Sequence, residues 1–287
     1  MNTSILVPSS LAREAPDKRE ATRKVGDIAR AATVFRVNRI IVYPDPVGEA
    51  GTRWDGGFVE TVFRYAATPP ALRKEVWGSR DELEYAGVLP PLRASPQTGS
   101  GSNDSGSLRQ GIVTEVGPEN RVRVNCGMQH PVSLRLPSKR TVQEGERVTV
   151  RITSRRPVRA HLTNEPVPGP EVLRMDLQSA CEHEDAGLRI ATSRFGEPLT
   201  VQWLGSLVDR ISTRGCTIAF GAPKRGLREI LADDPAFEGP FPPSISPESV
   251  QSDRFDLWLN AIPHQGSEVV RTEEAVLAVL ACLTLTE

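Results

Sequence analysis

Residues 255–283 decide the fold, and they read FDLWLN (255–260), AIPHQGSEVVR (261–271) and TEEAVLAVLACL (272–283). The first piece is a short run of large apolar residues, which predicts a buried strand. The second is polar and contains glycine and proline, which predicts a loop. The third begins with Thr272, a good N-cap, followed by two glutamates where the helix dipole favours acids, and it predicts a helix. A strand, a ligand-sized loop and a helix in this order are typical of a binding site in α/β proteins.

The predicted helix is apolar on most of its sides. One stripe comprises Val276, Val279, Leu280 and Leu283, and a second comprises Ala275, Ala278 and Cys282. A helix that is apolar on most sides must be covered on most sides. We therefore expect it to lie in the core, in a subunit interface or in both, and we predict a homodimer.

The same unit occurs just upstream, where CTIAF (216–220) predicts a strand, GAPKRG (221–226) a loop and the residues from Leu227 a helix. Two consecutive strand–loop–helix units can place two loops side by side at the carboxyl edge of one parallel sheet. The chain also begins in this way. SILVP (4–8) predicts a strand, a helix is expected from about Pro16, and RIIVY (39–43) predicts the next strand, joined by a right-handed crossover.

Further elements follow from the same patterns. Residues 58–67, 71–77, 173–181 and 203–212 predict helices, and 187–192 predict a strand followed by a loop at 193–196. Residues 95–107 are rich in glycine and serine, which is typical of a flexible linker. The fold class expected is therefore α/β with a parallel sheet.

Between 108 and 163 the apolar pattern changes to a period of two, which predicts a small all-β module, most simply an OB-like barrel. The α/β pattern on both sides of it predicts one discontinuous domain, 1–94 and 164–287, with 108–163 inserted in it. Because the apolar residues alternate inward, Arg121, Arg123, Arg135 and Arg151 are expected to face outward, where arginine suits phosphate contact.

The charge of the chain is unevenly distributed. The whole sequence carries a formal net charge of −1, but 108–163 contains eleven lysines and arginines against four acidic residues, a net +7. A basic module in an otherwise acidic protein indicates a polyanion partner, and we favour RNA; the alternative is a solvated basic surface.

The four cysteines are far apart and form no CxxC pair, so the sequence predicts neither a zinc site nor a redox motif, and no metal is expected. The apolar run at 5–7 is too short for a signal peptide, and no stretch reaches membrane-spanning length. We therefore expect a cytoplasmic protein without a membrane partner.

Four places in the sequence together resemble a known family: FGAPKRGL (220–227), LNAIPHQGSEVVRTEEA (259–275), the N-terminal run with SILVPSSL (4–11) and KVGDIARAATVFRVNRIIVY (24–43), and ELEYAGVLPPLR (82–93). They are similar to the SPOUT superfamily of knotted RNA methyltransferases, in its archaeal and eukaryotic branch with an inserted OB-like domain. The resemblance spans nearly the whole chain. It implies a C-terminal trefoil knot, S-adenosylmethionine as cofactor, RNA as substrate and a dimer.

The resemblance also implies a cofactor site in three loops, 192–196, 221–227 and 260–274. In it, Ile262 and Pro263 would form walls for the adenine, and Gln265 and Thr272 would contact the ribose or the methionine end. The full set of implied cofactor residues is Thr192, Ser193, Gly221, Pro223, Gly226, Leu227, Asn260, Ile262, Pro263, Gln265, Gly266, Thr272 and Ala275. The alternative for each glycine and proline is that it only shapes a turn.

For catalysis and RNA contact the candidates are Arg194, which follows the strand ending at the cofactor, and Arg19 and Arg23 on the first helix. Glu273 is a candidate for proton handling, and its alternative role is that of an acid at a helix start. Methyl transfer is an in-line displacement with a neutral leaving group, so it requires positioning and proton removal but no metal.

Three functions remain to be compared. The first is an RNA methyltransferase, and the resemblance implies a uridine of large ribosomal RNA, methylated at N3. The second is a binding protein that holds RNA or assembly partners without turnover. The third, a Rossmann-like nucleotide enzyme, requires GxGxxG after an early strand, whereas the first strand is followed by Pro8-Ser9-Ser10.

Overall fold

A computed structural model describes residues 2–50, 54, 56–94, 107–137, 140–165, 169–234 and 254–285. The strands in these ranges are β1 (Thr3–Pro8), β2 (Arg39–Tyr43), β3 (Ser107–Val116), β4 (Arg121–Asn125), β5 (Val132–Arg135), β6 (Arg147–Arg155), β7 (Val158–Thr163), β8 (Glu171–Arg174), β9 (Leu188–Pro198), β10 (Cys216–Ala219) and β11 (Leu257–Asn260). The α-helices are α1 (Lys18–Val34), α2 (Pro46–Glu49), α3 (Gly56–Ala67), α4 (Pro70–Trp77), α5 (Leu177–Glu182), α6 (Val201–Arg214), α7 (Leu227–Ala232) and α8 (Thr272–Leu283). Short 3-10 turns lie at Asp81–Leu83 and Ala86–Val88. The expected linker falls outside the described residues, apart from Ser107 at the start of β3.

Six strands form a parallel sheet in the order β11-β9-β10-β1-β2-β8. In β1, Ile5 and Val7 enter one apolar cluster and Leu6 enters another, because alternate side chains of a strand point to opposite faces. Helices α1, α3, α6 and α8 cover the first face, and α5 and α7 cover the second. A parallel sheet needs cover on both faces, and the predicted α/β architecture is confirmed.

The remaining five strands form a separate antiparallel sheet in the order β5-β4-β3-β6-β7. Its outermost strands β5 and β7 approach each other, so the sheet is a nearly closed barrel. Its core contains Val122, Val124, Leu134, Val148 and Val150. The alternation of apolar and polar residues therefore predicted both the sheet and its buried face correctly.

The chain divides into two compact units. One, the α/β unit, comprises 1–67, 81–93 and 170–287, and the other, the β unit, comprises 68–80 and 94–169. The sequence pattern assigned 68–80, which contain α4, to the α/β part. In the structure they belong with the β unit, where Glu75 accepts a hydrogen bond from Asn125 and Ala71 lies beside Gly127.

Two of the predicted helices begin later than expected. The first helix begins at Lys18 rather than near Pro16, because the Asp17 side chain caps it by accepting a hydrogen bond from the Glu20 amide. The helix predicted over 173–181 is wrong in its first part: Leu173 lies in β8, which pairs with the edge of β2, and the helix begins at Leu177.

Helix α8 is buried along one stripe, formed by Val276, Val279, Leu280 and Leu283. The second stripe is only partly covered, since Ala275, Ala278 and Cys282 are half-buried. Leu277 is 52% exposed, so one apolar side of the helix faces outward in the single chain. The homodimer stays a prediction.

Three of the cysteines, Cys126, Cys181 and Cys216, are buried, as their apolar surroundings in the sequence indicated. Burial raises the thiol pKa of each to about 11. The thiolate is the reactive form, so these side chains act as small core residues.

A buried ion pair joins the loop after β2 to the loop after β10. The carboxylate of Asp45 is 1% exposed and accepts hydrogen bonds from Arg225 Nε at 3.0 Å and Nη2 at 2.9 Å. It also accepts from the Gly48 amide at 3.0 Å and from the hydroxyl of Ser10. A buried carboxylate is tolerated only when its oxygens are satisfied in this way.

Replacing Asp45 by asparagine should lower the free energy of unfolding by about 3–5 kcal/mol at neutral pH, because Arg225 loses its buried countercharge. Burial alone would raise the pKa of Asp45, but hydrogen bonds from Arg225, Ser10 and Gly48 outweigh it and hold the pKa below its ordinary value. The stabilisation by the carboxylate is therefore complete above the ordinary carboxyl pKa of about 4 and is lost as the pH falls below it.

Urea unfolding from about pH 7 down to about pH 3 measures this effect, and the difference between wild type and Asp45→Asn should shrink at the acidic end. Asp209→Asn, at an exposed position of α6, is the control and should change stability by less than about 0.5 kcal/mol. A difference that stays constant over the whole pH range would contradict the assignment.

Candidate functional site

Three neighbouring strands of the parallel sheet, β11, β9 and β10, end at the same edge. Residues 192–195 of β9 and the loops that follow β10 and β11 enclose a hollow of about 440 Å³. This volume lies in the range of small-molecule and cofactor sites, and the carboxyl edge of a parallel sheet is where such sites occur.

The first side of the hollow is a bulge within β9. Ile190 and Ala191 pair with Leu257 and Trp258, but the next pair along β11 is Leu259 with Glu197. Residues 192–196 are thus left out of register and project from the sheet. They were expected to form a loop; β9 runs on through them, because the strand resumes pairing at Glu197.

The second side is the loop 221–227 after β10. Ala222 and Arg225 exchange two backbone hydrogen bonds, which fold the loop into a tight turn with Lys224 in the left-handed region at φ 55°. At Gly221 an added Cβ would lie 2.6 Å from the Leu227 amide nitrogen. The close approach of the two ends of the loop therefore requires glycine here.

The third side is the loop after β11, which is held by its own side chains. Asn260 Oδ1 accepts from the Ile262 amide at 3.0 Å, and Gln265 Nε2 donates to the Ser267 carbonyl at 2.9 Å. Asn260 Nδ2 also donates to the Arg194 carbonyl at 2.8 Å, which joins this loop to the bulge. Side chains that close a loop in this way fix its backbone for ligand contact.

Thr272 joins the second and third loops. Its hydroxyl donates to the Gly221 carbonyl at 2.8 Å, and the residue is 3% exposed. The prediction that Thr272 caps α8 is wrong, since the N-cap is Arg271, whose amide donates to the Glu274 carboxylate. Thr272 is the first helical residue, which leaves its hydroxyl available for the loop.

Most of the residues implied as cofactor ligands line this hollow. Eleven of the thirteen do so: Thr192, Ser193, Gly221, Pro223, Gly226, Leu227, Asn260, Ile262, Gln265, Thr272 and Ala275. Pro263 and Gly266 belong to the third loop but do not line the hollow. The structure thus brings together three segments that are separate in sequence.

The sequence patterns missed the apolar walls. Phe220 and Leu259 stand at the strand ends, and Val279 comes from α8; all three line the hollow. Each looks like an ordinary core residue in the sequence. For Phe220 and Leu259 the signal that could have found them is their position next to the two predicted loops, whereas no sequence signal marks Val279.

The predicted catalytic residues do not all lie at the hollow. Arg194 lines the hollow, whereas Arg19 and Glu273 do not. Arg19 is exposed on the first turn of α1. One oxygen of Glu273 is buried without a hydrogen-bond partner, and burial raises the pKa of this carboxyl. A backbone hydrogen bond and the positive charges of Lys24 and Arg271 oppose that rise in pKa.

The hollow nevertheless carries charge. Its lining contains the cations Arg194, Lys224 and Arg228 and the carboxylates Glu229 and Glu268. Glu229 and Glu268 are exposed and were not among the sequence-predicted residues. They are carboxylates that can accept a proton at this site.

On α1, Arg23 forms ion pairs with Glu20 at 2.5 Å and with Asp27 at 3.3 Å. The hydrogen bond with Glu20 raises the pKa of Arg23 and lowers that of Glu20. The positive charge of Arg23 is thus partly neutralised by acidic residues of the same helix.

In the β unit, Arg121, Arg123 and Arg135 are exposed as predicted. Arg121 lies directly opposite Arg135 on β4 and β5. Like charges at facing positions repel each other, and a bound anion would relieve that repulsion. Arg123 is 3.3 Å from Glu115, and Arg135 is 3.9 Å from Glu119.

The fourth arginine, Arg151, alternates with the core residues Val150 and Ile152, but its side chain is not free on the surface. It is half-buried and forms an ion pair with Glu165, itself held by the hydroxyl of Thr163. Glu165 belongs to the segment that follows β7, so the alternation of residues within β6 could not predict this ion pair.

Among the described residues, no group of three or more histidine, cysteine, aspartate or glutamate side chains is arranged to hold a metal ion. In the same part of the chain, no helix combines the length and apolarity needed to cross a bilayer.

Known proteins resemble the chain over nearly its full length. Residues 2–283 match the family described as "Putative RNA methyltransferase". An uncharacterized protein of Haloarcula marismortui is 64% identical over 288 residues, and one of Halobacterium salinarum is 62% identical over 290 residues, each covering 100% of both chains. The human 28S rRNA (uridine-N(3))-methyltransferase is 27% identical over 316 residues, which are 98% of this chain and 77% of the human protein. Because the family match spans almost every residue, including all three loops of the hollow, this chain belongs to that family of RNA methyltransferases.

Proposed function

We propose that the chain methylates a uridine of large-subunit ribosomal RNA at N3, with S-adenosylmethionine as the methyl donor. The observation that carries the proposal is the hollow formed by the bulge within β9 and the loops after β10 and β11. The name of the human relative supports uridine N3 as the target atom. The family match over residues 2–283 supports RNA as the substrate.

The residues of the hollow fit the proposed donor in size and chemistry. Phe220, Leu259 and Ile262 supply apolar walls for a flat base. Gly221 stands where an added Cβ would meet the backbone of Gly226 and Leu227, so glycine is what lets this loop close tightly beside the hollow. A pocket that is mostly apolar, with a few fixed polar groups, is typical of a cofactor site.

When bound, S-adenosylmethionine supplies an electrophilic methyl group. The chain must then hold the acceptor uridine in line and remove its N3 proton, and positioning of this kind can lower a barrier by about 7–11 kcal/mol at best. Glu229 and Glu268 line the hollow and are the proposed proton acceptors. Arg194 is the proposed group that orients and polarises the uridine. Glu273, which does not line the hollow, is proposed to act as a helix-start acid.

We further propose that the C-terminal part of the α/β unit is the knotted end of a SPOUT fold. The path of the last segment supports this proposal. Strand β11 pairs with the earlier strand β9, and after the third loop helix α8 packs against α1 and α6. We also propose that the β unit is an OB-like barrel and that it binds the RNA. The facing arginines Arg121 and Arg135 support this role.

The proposed reaction can be tested with purified chain, large-subunit rRNA transcribed in vitro and isotopically labelled S-adenosylmethionine. Nucleoside mass spectrometry should detect labelled 3-methyluridine. Another labelled nucleoside would overturn the N3 assignment. Binding of RNA and cofactor without any methylation would favour the alternative, a non-catalytic RNA-binding or assembly protein.

Gly221→Ala should weaken S-adenosylmethionine binding by about tenfold or more, equivalent to about 1.4 kcal/mol, because the loop must shift. The added Cβ would lie 2.6 Å from the Leu227 nitrogen and 2.8 Å from the Gly226 backbone. Gly205→Ala in α6 is the matched control, since its Cβ would meet nothing within 4 Å. Isothermal calorimetry measures both, and equal affinities for the two variants would show that this loop does not hold the cofactor.

Replacing both Arg121 and Arg135 by glutamine should weaken RNA binding and flatten its salt dependence. The loss of two phosphate contacts reduces the slope of log K against log salt by about 1.4–1.8. Arg214→Gln, at an exposed site of α6, is the control and should leave the slope unchanged. A double variant with the wild-type slope would exclude this face of the β unit from RNA contact.

A further inference from the structure

Phe195 is an aromatic residue whose ring remains half exposed. Its side chain is 53% exposed, while Phe220 in the same lining is 1% exposed. A single exposed apolar side chain is ordinary on a protein surface. What distinguishes Phe195 is that it lines the hollow, where an open aromatic ring is available to a ligand.

The backbone that carries this ring is fixed on both sides. Before it, the Thr192 hydroxyl donates to the Ala219 carbonyl at 2.8 Å, and the Arg194 carbonyl accepts from Asn260 at 2.8 Å. After it, Gly196 packs so closely that an added Cβ would lie 2.6 Å from the Leu259 carbonyl carbon. The ring is therefore presented by a segment anchored to both neighbouring strands, β10 and β11.

A cation lies over the ring. The guanidinium carbon of Arg194 is 4.6 Å from the ring centroid of Phe195, a cation–π arrangement. An aromatic face beside an arginine matches the chemistry of an unstacked nucleotide, because the ring can stack on the base and the guanidinium can contact the phosphate. A purely apolar protein partner would gain nothing from the charge.

We propose that a base of the RNA substrate stacks on Phe195, which places the nucleotide at the edge of the donor hollow. This inference rests on the proposed function and deepens it by assigning the residue that receives the base. Arg194 covers one face of the ring, which leaves the other face for the base. Stacking reads the flat face of a base, so Phe195 positions the nucleotide, while its identity is read elsewhere.

The test compares Phe195→Ala, Phe195→Leu and Phe195→Trp in two assays, methylation of the rRNA transcript and calorimetric binding of S-adenosylmethionine. Loss of the stack should lower kcat/KM for RNA by about 5- to 150-fold in the alanine variant. The leucine variant, which keeps an apolar side chain of similar bulk, should lose nearly as much, and tryptophan should retain at least wild-type activity. Cofactor affinity should stay within about twofold in all three.

A second readout separates this proposal from the proposed function. A uridine-rich RNA of roughly 12 nucleotides with one 2-aminopurine should be quenched by wild type and by Phe195→Trp, but much less by Phe195→Ala. The quench supports stacking even if the wild type transfers no methyl group, and that absence of transfer would count against the proposed function alone. Val201→Ala, at a 91% exposed apolar site of α6, is the control and should match wild type in every assay.

Three results would overturn the proposal. One is a leucine variant with full activity and quench, which would mean that bulk suffices. Another is a loss of cofactor affinity that equals the loss of RNA activity, which would assign the ring to the donor. The third is a change in the mass of the purified chain on Phe195→Ala, measured by light scattering, which would assign the ring to self-association.

Discussion

The hydroxyl of Thr272, bonded to the carbonyl of Gly221, is the contact on which the arrangement of the site depends. It joins the start of the last helix to the loop after β10, 51 residues earlier in the chain. Similar side-chain bonds surround it: Tyr43 donates to the Phe220 carbonyl, Arg225 binds Asp45, and Asn260 donates to the Arg194 carbonyl. Adjacent parallel strands bring loops together, but only cross-links of this kind hold them at fixed separations. These bonds restrain the loops, and restraint of this kind lowers the conformational entropy that a ligand must offset on binding.

Local patterns predicted a large part of this molecule, for a physical reason. Burial on both faces makes strands such as CTIA (216–219) mostly apolar, and burial on one face makes RVRVN (121–125) alternate, so both sheets are visible in the sequence. The two loops at 221–227 and 260–271 are visible because glycine and proline interrupt apolar runs. The identity of their ligand came from the resemblance to a family, not from these patterns.

What the patterns missed depends on contacts between distant segments. The short strand β8 forms because β2 offers an open edge, so the same residues could be read as a helix until that edge was known. The bulge at 192–196 exists because β11, more than 60 residues later, shifts its register against β9. Arg151 turns from a surface charge into a half-buried ion pair because Glu165 follows the next strand. In each case the deciding partner lies outside the window in which periodicity is read.

The bulge in β9 contributes residues both to the hollow proposed for the methyl donor and to the proposed contact with RNA. Its first residues, Thr192 and Ser193, line the hollow beside the loops proposed to hold the donor. Its next two, Arg194 and Phe195, present a stacked cation and a half-exposed ring at the same edge. In a regular strand, successive side chains point to opposite faces of the sheet. If β9 had kept its register, successive residues could therefore not all face the hollow. By leaving the ladder for five residues and returning to it at Glu197, the strand directs successive side chains to one place while both of its ends stay fixed. A single anchored segment would then position both the methyl donor and the acceptor base. The distance between the two could change only if the sheet itself deformed.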